Sequence, residues 1–270
     1  MIETKRVAFV GGGNMAEALI RGLLQATLPA EKICVGEPSL ERGALLRERY
    51  GVTVLADNRE VVAGAELVVL AIKPQVVDEV VSGIADLIRE KQTLVSILAG
   101  VSTERLERFF DGTVRVVRAM PNTPALVGAG ATALCAGRFA GIDELALARH
   151  LFEAVGSVRL VGEGQMDAVT GLSGSGPAYV YTVIEALADG GVAEGLPRET
   201  ALALATQTVL GTAQLVSELG EHPAVLRDRV CSPGGTTIAG MRALEDGGLR
   251  PAMMEAVARA SRRSKELGAD

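Results

Sequence analysis

Val7-Ala8-Phe9-Val10-Gly11-Gly12-Gly13-Asn14-Met15-Ala16 is the stretch whose reading decides the fold. A short apolar run leads straight into three glycines. Ala18, Leu19, Ile20, Leu23 and Leu24 then recur at helical spacing. A buried strand, a tight turn and an amphipathic helix are predicted in that order. The glycines fit the G-x-G-x-x-A form of the dinucleotide fingerprint, which has force only between a strand and a helix. Gly11 permits the sharp turn, Gly13 lets backbone approach a pyrophosphate, and Ala16 lets helix and strand pack closely. The unpaired N–H groups of the helix N-terminus then face the phosphates.

Outward from this unit, short strands alternate with helices. Lys32–Gly36, Val52–Leu55, Leu67–Ile72, Leu94–Leu98 and Val114–Val117 read as strands. Helical stretches run from Ser39 to Tyr50, from Asp57, and from Pro74 to Leu87. The repeated strand–helix order predicts a parallel, doubly wound sheet. Ala131–Ala136 and Val158–Val161 read as later strands, with a helix over Asp143–Val155 between them. Beyond Glu163 no strand is predicted, and helices are expected over Gln165–Leu172, Pro177–Glu194, Pro197–Leu219, Pro223–Val230, Thr236–Glu245 and Leu249–Leu267. Prolines 177, 197 and 223 fall where a first helical turn accepts them. The fold class is therefore an α/β Rossmann domain, residues 1–163, followed by an all-α domain, residues 164–270.

Thr200 to Ser217 carries no charged residue. It holds too many Thr and Gln for a membrane span, and a surface helix would carry charge on one face. A helical domain of this size has little volume in which to bury one helix completely. A second copy of the chain is expected to cover it, as a homodimer through the helical domain, with a higher homo-oligomer left open.

Bulk properties narrow the class. The 270 residues carry a net charge of −6, which points away from nucleic-acid and membrane-surface partners. No basic n-region or apolar h-region precedes the first strand. Cys34, Cys135 and Cys231 lack C-x-x-C spacing and read as reduced thiols, so a cytoplasmic location is expected. With only His150 and His222, a histidine-based metal site is not expected.

Several segments carry candidate chemistry. The second strand ends at Glu37-Pro38-Ser39. An acidic side chain there binds adenosine ribose hydroxyls and favours NADH, whereas Ser39 and Arg42 suit a 2′-phosphate. Both cofactors remain open on these residues. Ala71-Ile72-Lys73-Pro74 ends the fourth strand, at the edge where open α/β sheets bind ligands. Asn58 is a weaker candidate of the same kind. Ala119-Met120-Pro121-Asn122-Thr123-Pro124 is a proline-stiffened loop that shapes the nicotinamide end, with Met120 and Asn122 on it. Ser232-Pro233-Gly234-Gly235-Thr236-Thr237 lies between two helices, and its amides and hydroxyls suit a small carboxylate. The same residue types also make a plain helix cap. The helical half has one lysine, Lys265, and one histidine. Ketone chemistry needs a general acid–base. A protonated imine is already electrophilic and needs mainly positioning.

Together, Phe9–Ala16, Ala71–Pro74, Arg118–Pro124, the glycine cluster Gly171–Tyr179 and Cys231–Thr237 resemble pyrroline-5-carboxylate reductases, in that family's order and from end to end. The resemblance implies a Rossmann domain and a helical dimerisation domain. It also implies NAD(P)H-dependent reduction of a cyclic imine carboxylate, 1-pyrroline-5-carboxylate, to L-proline, the last step of proline biosynthesis. Carried onto matching positions, cofactor contacts fall at Val10, Gly11, Gly12, Gly13, Asn14, Met15, Ser39, Asn58, Ala71, Ile72, Lys73 and Pro74. Ile97, Leu98 and Ala99 line the nicotinamide side. Substrate contacts fall at Glu163, Ser232, Gly235, Thr236 and Thr237, with Thr237 hydroxyl on the ring nitrogen and Glu163 offsetting the iminium charge. Glu37 departs from the small polar residues that usually end the second strand in the family. The rivals are a β-hydroxyacid dehydrogenase, whose pattern places a catalytic lysine in the region matching Gly174–Ile184, where none stands, and a non-catalytic dinucleotide sensor.

Overall fold

The computed structural model describes residues 2–110 and 112–269. The chain divides into two compact units, one of residues 1–175 and 258–270, the other of residues 176–257.

The first unit is an eight-stranded sheet in the order β3-β2-β1-β4-β5-β6-β7-β8. The strands are β1 (Val7–Val10), β2 (Ile33–Gly36), β3 (Thr53–Leu55), β4 (Leu67–Leu70), β5 (Thr93–Ser96), β6 (Arg115–Met120), β7 (Gly130–Ala136) and β8 (Gly156–Leu160). α1 (Asn14–Gln25), α2 (Leu40–Tyr50), α3 (Asn58–Val62), α4 (Val77–Ile84), α5 (Thr103–Glu107) and α6 (Ile142–Glu153) connect them. α2 begins at Ser39, whose hydroxyl accepts the Arg42 N–H, and α3 at Asp57, which accepts the Arg59 N–H. Pro74 starts a 3-10 turn before α4 rather than the helix itself.

The central strands are apolar on both faces, as a doubly covered sheet requires. Phe9, Val35 and Val69 pack with Ala16, Leu19, Leu23 and Phe152 on one face. Val10, Val68 and Leu94 pack with Val61, Val81 and Leu106 on the other. Each fully buried Leu, Ile or Phe contributes about 1.5–3 kcal/mol relative to exposure.

The sheet is parallel as expected except at one pair. β6 and β7 pair antiparallel, with Arg118 opposite Cys135, while β7 and β8 are parallel to each other. A parallel crossover needs about a dozen residues or more. The link from Met120 to Gly130 is shorter and holds only a 3-10 turn, so the chain reverses there.

After β8 the helical run is continuous but not uniform. α7 (Met166–Val169) passes into a π turn at Thr170–Gly174, closed by the Ser175 N–H on the Thr170 carbonyl. The glycine cluster is thus itself helical. Gly174 lets Met120 approach, for a Cβ there would lie 2.8 Å from the Met120 Cε. α8 (Gly176–Ala193), α9 (Arg198–Leu219), α10 (Pro223–Val230) and α11 (Thr236–Asp246) follow, and α12 (Leu249–Ala269) ends back in the first unit. There Ser264 donates to Asp167 at 2.6 Å.

In the second unit α8 and α9 pack through Ala188, Ala201 and Ala205. Leu204 and Leu210 of α9 are 55% and 58% exposed within the single chain. Among the described residues no helix is long and apolar enough to cross a membrane.

Gly11 turns the chain at φ +101°, where a Cβ would lie 2.6 Å from the Ala71 carbonyl oxygen. Gly11→Ala is expected to lose about 1–3 kcal/mol in urea unfolding and to weaken dinucleotide binding, measured by titration.

Candidate active site

Parallel register brings the first-unit candidates to one edge. Val10 is level with Gly36 on one side and Leu70 on the other, and Leu70 is level with Ser96, which is level with Arg118. The loops carrying Gly11–Met15, Ser39, Asn58, Ala71–Pro74, Ile97–Ala99 and Met120–Asn122 therefore leave neighbouring strands at a single edge. The order of the strand connections reverses between β1 and β4, where such sheets bind dinucleotides.

The turn fits a pyrophosphate. Gly13 is the N-cap of α1, and no side chain caps the helix amides there. A Cβ on Gly13 would meet nothing within 4 Å. Val10 is a core side chain and offers only backbone. Asn14 is exposed and Met15 half-buried. Asn58 packs over Gly36, where a side chain would collide with its amide. Lys73 is exposed at the end of β4. Leu98 is in the core, between half-buried Ile97 and Ala99. Met120 packs against the cluster of Ala133, Cys135 and Met166. Asn122 is committed to backbone: its Oδ1 accepts the Ala131 N–H at 2.8 Å and its Nδ2 donates to the Ser173 carbonyl at 3.0 Å.

Glu163 lies at the centre of a cluster not legible in the sequence. Arg118, 4% exposed, donates Nη1 to Oε1 at 2.6 Å. Thr103 Oγ1 and Cys135 Sγ donate to Oε2 at 2.9 and 3.2 Å. Burial alone would raise the Glu163 carboxyl, but the Arg118, Cys135 and Thr103 hydrogen bonds and the Arg118 charge hold it below its ordinary 4.5. Burial, then the Glu163 contact, pushes the Cys135 thiol up to about 12, so it is a neutral donor at pH 7. The signal for Arg118 was a charged residue directly after the apolar pair Val116-Val117, at the buried end of a strand whose other arginine, Arg115, is exposed.

In the second unit, Ser232–Thr237 joins α10 to α11. Gly234 adopts φ +68°, and the Gly235 N–H closes the turn on the Ser232 carbonyl at 3.0 Å. Gly235 is the N-cap of α11 without a side-chain cap. Ser232 and Thr236 are exposed and Thr237 half-buried. A cavity of about 540 Å³ adjoins the turn, lined by Arg227, Cys231, Gly234 and Ile238 among others. Tyr179 hydroxyl donates to the Ala256 carbonyl, and His222 caps α10 through Nδ1. His150 Nδ1 contacts the Ala146 carbonyl.

A glycine-turn dinucleotide domain followed by a helical domain defines a two-domain NAD(P)-dependent oxidoreductase. A family model described as pyrroline-5-carboxylate reductase dimerisation matches residues 163–267, and one described as NADP oxidoreductase, coenzyme F420-dependent, matches residues 6–100. Pyrroline-5-carboxylate reductase from Synechocystis is 52% identical over 97% of this chain and 98% of its own. A solved pyrroline-5-carboxylate reductase from Coxiella burnetii superposes with TM-score 0.93 at 40% identity, covering 98% of each chain. The Plasmodium falciparum pyrroline carboxylate reductase with NADP bound gives TM-score 0.88 at 31% identity, covering 98% of this chain and 99% of that one. The chain belongs to the pyrroline-5-carboxylate reductase family.

A carboxyl held below its unfolded value stabilises the fold above that value, and the contribution is lost as pH falls through the folded one. Melting temperature is therefore expected to fall as pH drops below about 4.5, the ordinary value of the Glu carboxyl, and Glu163→Gln to flatten part of that fall. Parallel melting profiles would exclude the cluster as a contributor.

Proposed function

We infer that the chain reduces 1-pyrroline-5-carboxylate to L-proline with NADPH or NADH, as the last step of proline biosynthesis. The carrying observation is the Ser232–Thr237 turn, which heads α11 with amides that no side chain caps. Amides at a helix N-terminus suit a small carboxylate, such as that of the substrate. Thr236 and Thr237, the first residues of α11, supply the amides and Ser232 a hydroxyl, while Gly235 shapes the turn, its own N–H being bonded to the Ser232 carbonyl.

The nicotinamide cofactor supplies a hydride to the ring carbon of the C=N bond. Gly11–Met15 hold its pyrophosphate, Ser39 and Asn58 its adenosine end, and Ala71–Pro74 and Ile97–Ala99 its nicotinamide half. Met120 and Asn122 shape that half, Asn122 by fixing the loop. Thr237 hydroxyl bonds the ring nitrogen and orients it. The iminium is already electrophilic, so position suffices where no strong acid stands. Glu163 is paired with Arg118 and does not act as a free net charge. A carboxylate offers about four acceptor directions, and Arg118, Thr103 and Cys135 take three of them.

The assembly is a homodimer through the helical domain, whose dimerisation model spans 163–267. The enzyme is cytoplasmic, in keeping with three free cysteines.

Steady-state kinetics with pyrroline-5-carboxylate and each cofactor test the reaction, and no turnover with either would refute it. Thr237→Ala is expected to lower kcat about tenfold to a thousandfold, as for other lost polar catalytic contacts. Unchanged kinetics would remove Thr237 from this role. Leu204→Asp with Leu210→Asp replaces side chains exposed in the single chain, so a monomer would tolerate both. Sedimentation is expected to show loss of the dimer instead.

A further inference from the structure

We propose that Glu37 makes this chain select NADH over NADPH, by presenting to the adenosine ribose a carboxylate that the glycine turn holds in place. The proposal rests on the cofactor reading above and deepens it.

Glu37 is the first residue past β2, and the last, Gly36, is level with Val10 at the end of β1. That register sets the carboxylate beside the glycine turn. Its Oε2 accepts the Gly12 N–H at 3.1 Å, and its Oε1 the Ser39 N–H at 2.9 Å. Two backbone amides thus orient the group without a cation that would neutralise it. Gly12 leaves the room this needs, because a Cβ there would lie 3.0 Å from Oε2 and 2.8 Å from the Leu46 Cδ1. Each carboxylate oxygen retains acceptor capacity, and ribose hydroxyls are donors. A 2′-phosphate brings only acceptor oxygens and a further negative charge, placing like charges in contact.

The two strongest donors for a phosphate, the Arg42 guanidinium and the Ser39 N–H, are already engaged. Arg42 donates Nε to the Gly12 carbonyl at 2.7 Å and Nη2 to Glu17 at 2.6 Å. Glu17 is bound in turn by Arg49 and Tyr50. Turning Arg42 toward a phosphate breaks both of its bonds. The Ser39 N–H is given to Glu37, and its hydroxyl caps α2.

The test is direct binding. The chain has no tryptophan, so the reduced cofactor's own fluorescence is read on the full chain without substrate. NADH is expected to bind tighter than NADPH by about tenfold to a hundredfold, the size of a charge-assisted hydrogen bond. Glu37→Ser and Glu37→Gln should collapse that ratio, and Arg42→Ala should leave NADH favoured. Equal or tighter binding of NADPH to the unmodified chain overturns the proposal, and that comparison needs no variant to fold. An unchanged ratio in folded Glu37→Ser, checked by circular dichroism, overturns it too. A chain that discriminates the cofactors as stated but reduces no pyrroline-5-carboxylate refutes the reaction and supports the selectivity.

Discussion

The close approach of Gly11 to the end of β4 is the constraint on which the first unit depends. β1 pairs on both sides in register, so the chain must turn at the level where its neighbours also end. The Ala71 N–H is bound to the Val10 carbonyl at 2.8 Å, and the Gly11 N–H to the Gly36 carbonyl at 2.9 Å. The turn is thereby closed on both flanks before the helix begins. Any side chain at Gly11 meets the Ala71 carbonyl, so turn and sheet edge are a single packed object. A rigid turn keeps the amides of α1 aimed at one place, and such preorganisation gives anion binding its specificity.

Two carboxylates near this edge differ in what surrounds them. Glu37 is held by amides, which orient it and leave its charge in force. Glu163 is paired with a buried arginine, which cancels the net charge. A buried pair gains little stability over apolar groups, because both ions lose water, but removing one partner strands the other. The pairing is better understood as fixing geometry. It ties β6, β7, α5 and the segment after β8 together through one side chain.

Local signals were legible in the sequence and nonlocal ones were not. Ser39 and Asp57 announced their caps, and Val7–Val10 its strand to the residue, because neighbouring positions decide these. The antiparallel β6–β7 pair could have been read from the short Met120–Gly130 link, but apolar periodicity does not report strand direction. The short α5 went unpredicted. Its five residues lack a full amphipathic period, and Ser102, accepting the Arg105 N–H, is its clearest mark. The π turn at Thr170–Gly174 depends on Thr170 and Ser173 bonding back to Met166 and Val169. Those residue types equally suit a loop. Glu163 was legible as a candidate, but its three donors come from positions distant in the chain. Glu37 was visible at its strand end, whereas its grip on Gly12 depends on sheet register.

The helical unit inverts the usual relation of composition to exposure. An uncharged helical stretch such as Thr200 to Ser217 ordinarily signals burial, yet α9 buries only Ala201 and Ala205 inside the single chain. Small residues at that seam bring α8 and α9 close and turn the leucines outward. Leaving several leucines in water costs stability that a lone unit of this size recovers poorly. A matching surface on a second copy removes the cost, and a two-fold pairing does so with one patch used twice. If the dimer forms this way, the fold of the helical unit depends on protomer concentration. The Ser232–Thr237 turn belongs to the same unit, so dilution would loosen the proposed substrate turn together with the interface.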